Sequence, residues 1–195
     1  FAGSTKGYLD GVGSSAKFDI LSGVVVDVSG NLYVTDKNYI RKITPNGTVS
    51  TFAGNATAGY ADGTGTLAKF SSPRGIAIDL TGNLYIADPG NSKIRKITAS
   101  GVVTTLAGST SGYQDGIGTL AKFNSPLDLS VDSKGNVYVV EFSNKIRKIS
   151  PSGVVTTFAT LNNGYINYGI TVDRGNNLFV TTSYHTVWKV DSSAN

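Results

Sequence analysis

The stretch GIAIDLTGNLYIAD at residues 75–88 decides the fold, because it recurs as GVVVDVSGNLYVTD at 23–36, DLSVDSKGNVYVVE at 128–141 and GITVDRGNNLFVTT at 169–182. Each copy is an apolar run closed by Asp, a turn containing Gly and Asn, and a second apolar run. That pattern predicts two strands of a hairpin. Runs such as GVVVD, GIAID and GITVD do not alternate apolar with polar residues, so both faces of the first strand need cover.

Working outward, a third run (IRKI at 40–43, 94–97 and 146–149; VWKV at 187–190) precedes a turn. A fourth run follows, TVSTFAG at 48–54, VVTTLAG at 102–108 and VVTTFAT at 154–160. Each repeat therefore predicts a four-stranded meander. With no helical period to supply cover, and with the unit returning about every 50 residues, the remaining solution is sheet stacked on sheet, an all-β propeller. We take residues 1–195 as one domain of four repeats, at about 1–51, 52–105, 106–157 and 158–195. The fourth stops after VWKV and DSSAN, while Phe1–Gly3 repeats the end of an outer strand. The expectation is either a four-bladed ring closed by the N-terminus or an arc of a larger ring.

Composition agrees. The chain has 195 residues with 24 Gly, 15% charged residues, and neither Cys nor Met; with Phe first, it is expected to be a fragment or a processed product. Disulfides and cysteine-ligated metal are excluded. A net charge of 17 − 13 = +4 is far from the concentrated basic patch of a nucleic-acid binder. No apolar run approaches a membrane span.

The strings GNLYVTD, GNLYIAD and GNVYVVE, followed by IRKI and preceded by GIAID, resemble the NHL repeat. The resemblance implies a propeller, commonly six-bladed, in a family that includes RNA binders, protein-binding scaffolds, lyases and surface proteins. Three copies carry an insertion, GYLDGVGSSAKF at 7–18, GYADGTGTLAKF at 59–70 and GYQDGIGTLAKF at 112–123; the fourth keeps only Gly164–Tyr165. Units of this kind are similar to those of large bacterial surface and multidomain proteins, which implies an extracellular module.

Among candidate functional groups, an acid ends the second run and an Arg sits in the third: Asp36 with Arg41, Asp88 with Arg95, Glu141 with Arg147. In the fourth repeat Thr182 and Trp188 replace both. Groups that vanish together predict structural ion pairs. Asp27, Asp79, Asp132 and Asp173, each before a Gly/Asn turn (Gly30–Asn31, Gly82–Asn83, Gly135–Asn136, Gly175–Asn176), predict turn caps. Asp10, Asp62 and Asp115 open DGxG segments that look like the start of a calcium loop but lack its later ligands, so a turn is expected and no metal is assigned. The AKF that follows predicts one helical turn, its Phe18, Phe70 or Phe123 wedged between blades. Tyr8, Tyr60, Tyr113 and Tyr165 enter the same loops, which should gather on one face as a recognition surface.

Enzyme chemistry has little to work with. His185 is the single histidine, so the multi-histidine metal site of lyases with this fold cannot be assembled, and no G-x-S-x-G elbow occurs. Lys42, Lys96, Lys148 and Lys189 follow the repeat rather than gathering in a patch. Asn46 and Asn55 begin Asn-x-Thr sequons whose plain reading is loop. The expectation is a non-enzymatic extracellular or cell-surface module without cofactor, binding a protein or glycan, with self-association or completion by further blades as an added possibility. An RNA-binding propeller and a fragment of an NHL-type lyase are the alternatives.

Overall fold

A computed structural model describes residues 1–161 and 167–191. Strands neighbouring in sequence neighbour in space, all antiparallel. Blade 1 runs outward through Leu21–Val26, Leu32–Asp36, Tyr39–Ile43 and Thr48–Gly54. Blade 2 uses Ile76–Ile78, Leu84–Asp88, Lys93–Ile97 and Val102–Ala107. Blade 3 uses Pro126–Val131, Val137–Glu141, Lys145–Ile149 and Val154–Thr160. Blade 4 holds Asn167–Val172, Leu178–Thr182 and Val187–Val190, a three-stranded sheet among the described residues. The four inner strands line a central cavity of about 580 Å³. This is a β-propeller.

Blades 1 to 3 carry a fifth strand that the meander pattern does not predict. Gly11–Val12, Gly63–Thr64 and Gly116–Ile117 pair with the outer strands at Thr48–Val49, Val102–Val103 and Val154–Val155. The insertion thus runs down the rim instead of crossing one face, and it covers an edge that would otherwise be unpaired. The helical turn also lies earlier than expected: a single 3₁₀ turn covers Gly13–Ser15, Gly65–Leu67 and Gly118–Leu120. Its first residue is left-handed, with φ of 55°, 56° and 54° at Gly13, Gly65 and Gly118, which explains the second Gly of each DGxG. The following lysines are extended and bridge back to Leu9, Ala61 and Gln114.

Apolar clusters fill the seams between blades. Ile40 and Ala53 of blade 1 meet Phe70, Ile76 and Ile86 of blade 2. Ala87, Ile94 and Ala107 meet Phe123, Leu129 and Val139. Tyr138, Val140 and Ile146 meet Ile170, Leu178 and Val180. Phe70 and Phe123 are fully buried there. These seams are the core, which is why the inner strands read as continuous apolar runs.

The hairpin turns are closed by their aspartates. Asp79 Oδ1 accepts the N–H groups of Thr81 and Asn83, both at 2.9 Å, and Oδ2 accepts Asn83 Nδ2 at 2.8 Å and the Tyr85 hydroxyl at 3.1 Å. In blade 4 the sequence pairing is off by one residue. Asn177, not Asn176, donates to the Asp173 carboxylate, while Asn176, whose N–H donates to the Asp173 carbonyl at 3.0 Å, takes the left-handed φ of 62° that belongs to Gly30, Gly82 and Gly135 elsewhere. Asn tolerates that conformation, so the turn survives the loss of its glycine. Partial burial works against the Asp79 charge, but the donors from Asn83 and Thr81 outweigh it and hold the carboxyl below the usual range. A depressed folded-state pKa stabilises above the unfolded value and is lost as pH falls through the folded one. Asp79→Asn is therefore expected to cost about 1 kcal/mol at pH 7 and to flatten the loss of thermal stability on acidification below about pH 4, as followed by circular dichroism.

Candidate functional site

Two places gather chemically active side chains. The first is a rim cluster repeated in blades 1 to 3, centred on an arginine of the third strand. Arg41, Arg95 and Arg147 are fully buried. Their Nη1 atoms lie 3.0, 3.2 and 2.9 Å from Asp36, Asp88 and Glu141. Their Nη2 atoms lie 2.6, 2.7 and 2.6 Å from Asp10, Asp62 and Asp115. Each guanidinium also donates to two carbonyls, those of Lys69 and Ala61 for Arg95. A Tyr lies over one side and a Phe over the other, Tyr60 and Phe70 at 5.0 and 5.1 Å from Arg95. Tyr8 with Phe18, and Tyr113 with Phe123, do the same for Arg41 and Arg147.

Every sequence candidate of the insertions among the described residues is thus bound into this cluster; Tyr165 lies outside those residues. The Asp10 carboxylate takes Arg41, the Thr51 N–H and the Thr51 hydroxyl. Asp62 and Asp115 do likewise with Thr105 and Thr157. Tyr8, Tyr60 and Tyr113 pair through their hydroxyls with the same threonines, and their rings stay half exposed. The second carboxylate on each arginine is what the pairwise reading misses. Its signal is present in the chain, since the fourth repeat loses the insertion together with the acid and the arginine. Burial pushes the Asp88 carboxyl up, and that of Glu141 to about 7, with the facing arginines opposing the rise. The cluster costs desolvation and returns geometry: it ties insertion, second strand and third strand into one register. Among the described residues no group of three His, Cys, Asp or Glu converges as metal ligands would.

The second place is one mouth of the central channel. The four residues entering the inner strands there are Ser22, Arg74, Leu127 and Tyr168. They precede Gly23, Gly75, Asp128 and Gly169, where adjacent inner strands crowd. A Cβ on Gly23 would stand 2.7 Å from the Arg74 carbonyl, and one on Gly75 only 2.6 Å from the Asp128 Cα. Asp128 breaks the glycine pattern; its Oδ2 accepts the Ile170 N–H at 3.0 Å, and burial pushes its carboxyl up. Beside the mouth a hollow of about 380 Å³ is lined by Arg74, Pro89, Leu127, Phe142 and Tyr168. Arg74, Phe142 and Tyr168 are exposed. This surface gathers a guanidinium, two aromatic rings and the aliphatic Leu127 and Pro89, a set suited to an acidic or aromatic side chain of a partner.

The basic residues of the third strands do not line the channel mouth or the hollow beside it. The arginines are buried with carboxylates, and Lys42, Lys96 and Lys148 sit over Tyr33, Tyr85 and Tyr138 of their own blades, at 5.6, 5.7 and 5.8 Å. His185 occupies the left-handed turn between the last two strands, φ 60°, with its ring 6.2 Å from that of Tyr184.

Residues 53–115 match the teneurin NHL domain. Human teneurin-4 is 29% identical over 186 residues, 81% of this chain and 6% of its own length. The Arabidopsis thaliana protein SUPPRESSOR OF QUENCHING 1, chloroplastic, is 40% identical over 91 residues, 45% of this chain and 9% of that protein. Among solved structures, virginiamycin B lyase from Staphylococcus aureus superposes with a TM-score of 0.61 at 20% identity, over 89% of this chain and 56% of the lyase. The chain thus spans a small part of the curated relatives and about half of a solved propeller, and the likeness to the lyase is one of fold.

Proposed function

We propose that this chain, an NHL-repeat β-propeller, is a non-catalytic binding module of the cell surface that takes a protein partner at the Arg74–Phe142–Tyr168 mouth. The observation that carries the reading is where the repeats diverge. Turn aspartates, seam residues and rim arginines recur from blade to blade and are engaged with one another, whereas Ser22, Arg74, Leu127 and Tyr168 occupy one structural position with four different chemistries. A constant frame presenting varied residues at a single rim suits selective recognition. The surface assignment rests on the likeness of the GYxDGxGxxAKF units to those of surface proteins. The half-exposed Tyr8, Tyr60 and Tyr113 add a periodic flank, already accounted for by their own contacts.

The test is binding of the immobilised chain to purified ectodomains, defined glycans and RNA at physiological salt. Saturable binding to a protein is expected, weakened about tenfold or more by Arg74→Ala with Tyr168→Ala and unchanged by Lys134→Ala in the hairpin turn of blade 3. Protein binding indifferent to the mouth variant overturns the reading, as does binding of RNA alone.

A further inference from the structure

The outer strands of blades 1 to 3 differ at one place in the seams. Ala53, Ala107 and Ala159 stand opposite Ile40, Ile94 and Ile146 of the third strands, and the residues just before them are Phe52, Leu106 and Phe158. Phe52 meets Tyr33 of its own blade edge to face, with ring centres 5.1 Å apart at 67°, and Phe158 meets Tyr138 in the same way at 5.2 Å and 77°. The Phe52 ring also crosses the seam. Its Cε2 stands 4.0 Å from the point that a Cβ on Gly101, in the turn before the outer strand of blade 2, would occupy. The Leu106 side chain does not come within 4 Å of the matching point on Gly153 of blade 3.

In blade 2 the outer ring is thus missing while its partner, Tyr85, remains. A hollow of about 260 Å³ lies there, lined by Tyr85, Lys96 and Leu106 of blade 2 and by Gly135 and Pro151 of blade 3. It sits beside the turn closed by Asp79, at the opposite end of the inner strand Ile76–Ile78 from Arg74, and therefore on the face away from the mouth. Tyr85 is fixed in place, 5% exposed and with its hydroxyl bonded to Asp79 at 3.1 Å. The Asp79 carboxylate is already engaged by the donors of its own turn. The Lys96 ammonium, 5.7 Å from the Tyr85 ring centre, has no carboxylate partner among the described residues.

We propose that this hollow is a binding site for an aromatic ring that carries a carboxylate. The ring takes the place that Phe52 and Phe158 fill in the other two seams, edge-on to Tyr85 and against Leu106 and Pro151, an arrangement aromatic pairs prefer. The carboxylate on its short arm pairs with Lys96. The space is smaller than the usual ~300–1,000 Å³ of ligand pockets, which limits the occupant to one ring with its acid.

Titration of the isotope-labelled chain with hydrocinnamate, followed by amide shifts in nuclear magnetic resonance, tests this. Saturable shifts centred on Tyr85, Leu106 and Gly135 are expected, with a Kd of about 1 mM. Leu106→Phe should weaken binding about tenfold or more. It should also raise the thermal midpoint by about 2–4 °C, since Phe52 and Phe158 show that the fold accepts a ring at this position. Lys96→Met should weaken hydrocinnamate about threefold and leave the neutral hydrocinnamyl alcohol unchanged. Tighter binding of N-acetylphenylalanine than of hydrocinnamate assigns the site to a chain ending in Phe, and the reverse order assigns it to a free aromatic acid. Shifts that do not saturate with either acid up to about 10 mM, ten times the expected Kd, overturn the proposal, as does binding that folded Leu106→Phe leaves unchanged.

Discussion

Arg95→Ala should destabilise the propeller by about 3–5 kcal/mol, the range for breaking a buried ion pair from one side. The substitution leaves the buried Asp88 carboxylate facing the space between Tyr60 and Phe70, and it strips Asp62 and the Lys69 and Ala61 carbonyls of their shared donor. Arg95→Lys should recover little, because one ammonium cannot reach both carboxylates and both carbonyls in the plane of the fork. The arginine is a device for register more than for net stability. Burial raises the Asp88 carboxyl against the pull of Arg95, and the Arg95 Nε finds no acceptor among the described residues. Removing the acid as well therefore costs less than the sum of the parts. A double-mutant cycle with Asp88→Ala by urea denaturation should give a coupling of about 1 kcal/mol or more; a coupling of zero would remove this account of the cluster.

Phe123→Ala should cost a similar amount, about 3–5 kcal/mol. Its ring fills the seam of blades 2 and 3 against Ala87, Ile94, Ala107 and Leu129, and its other face lies 5.2 Å from the Arg147 guanidinium. The alanines beside it have no side chain to swing into the space, so the cavity persists and the transfer loss is not relieved. The same change at Phe18 should cost about 1–2 kcal/mol, since that ring is only partly buried, with Ala2, Ala16 and Val34 against the outer part of blade 1. Thermal unfolding of the two variants side by side checks the difference. Equal losses would mean that the rings act through their arginines alone and not through the seams.

The chain by itself determined the unit and its architecture. Apolar runs, turn residues and period are local properties written three or four times over, so chance matches are averaged away. Runs apolar on both faces with no helix to cover them leave stacking as the only cover. The acid and the arginine of each blade were likewise legible, because their shared loss in the fourth repeat marks them as partners. Tertiary structure decided what depends on the chain's path between blades. The GYxDG insertion could have crossed one face; it runs down the rim because its Asp finds an arginine 31 to 33 residues away, a distance to which no periodicity speaks. The Arg74–Phe142–Tyr168 mouth assembles residues from three blades that share no motif. Val24 and Ile76 read alike in sequence, yet one faces solvent and the other a neighbouring sheet, because burial belongs to the contact between blades and not to the residue.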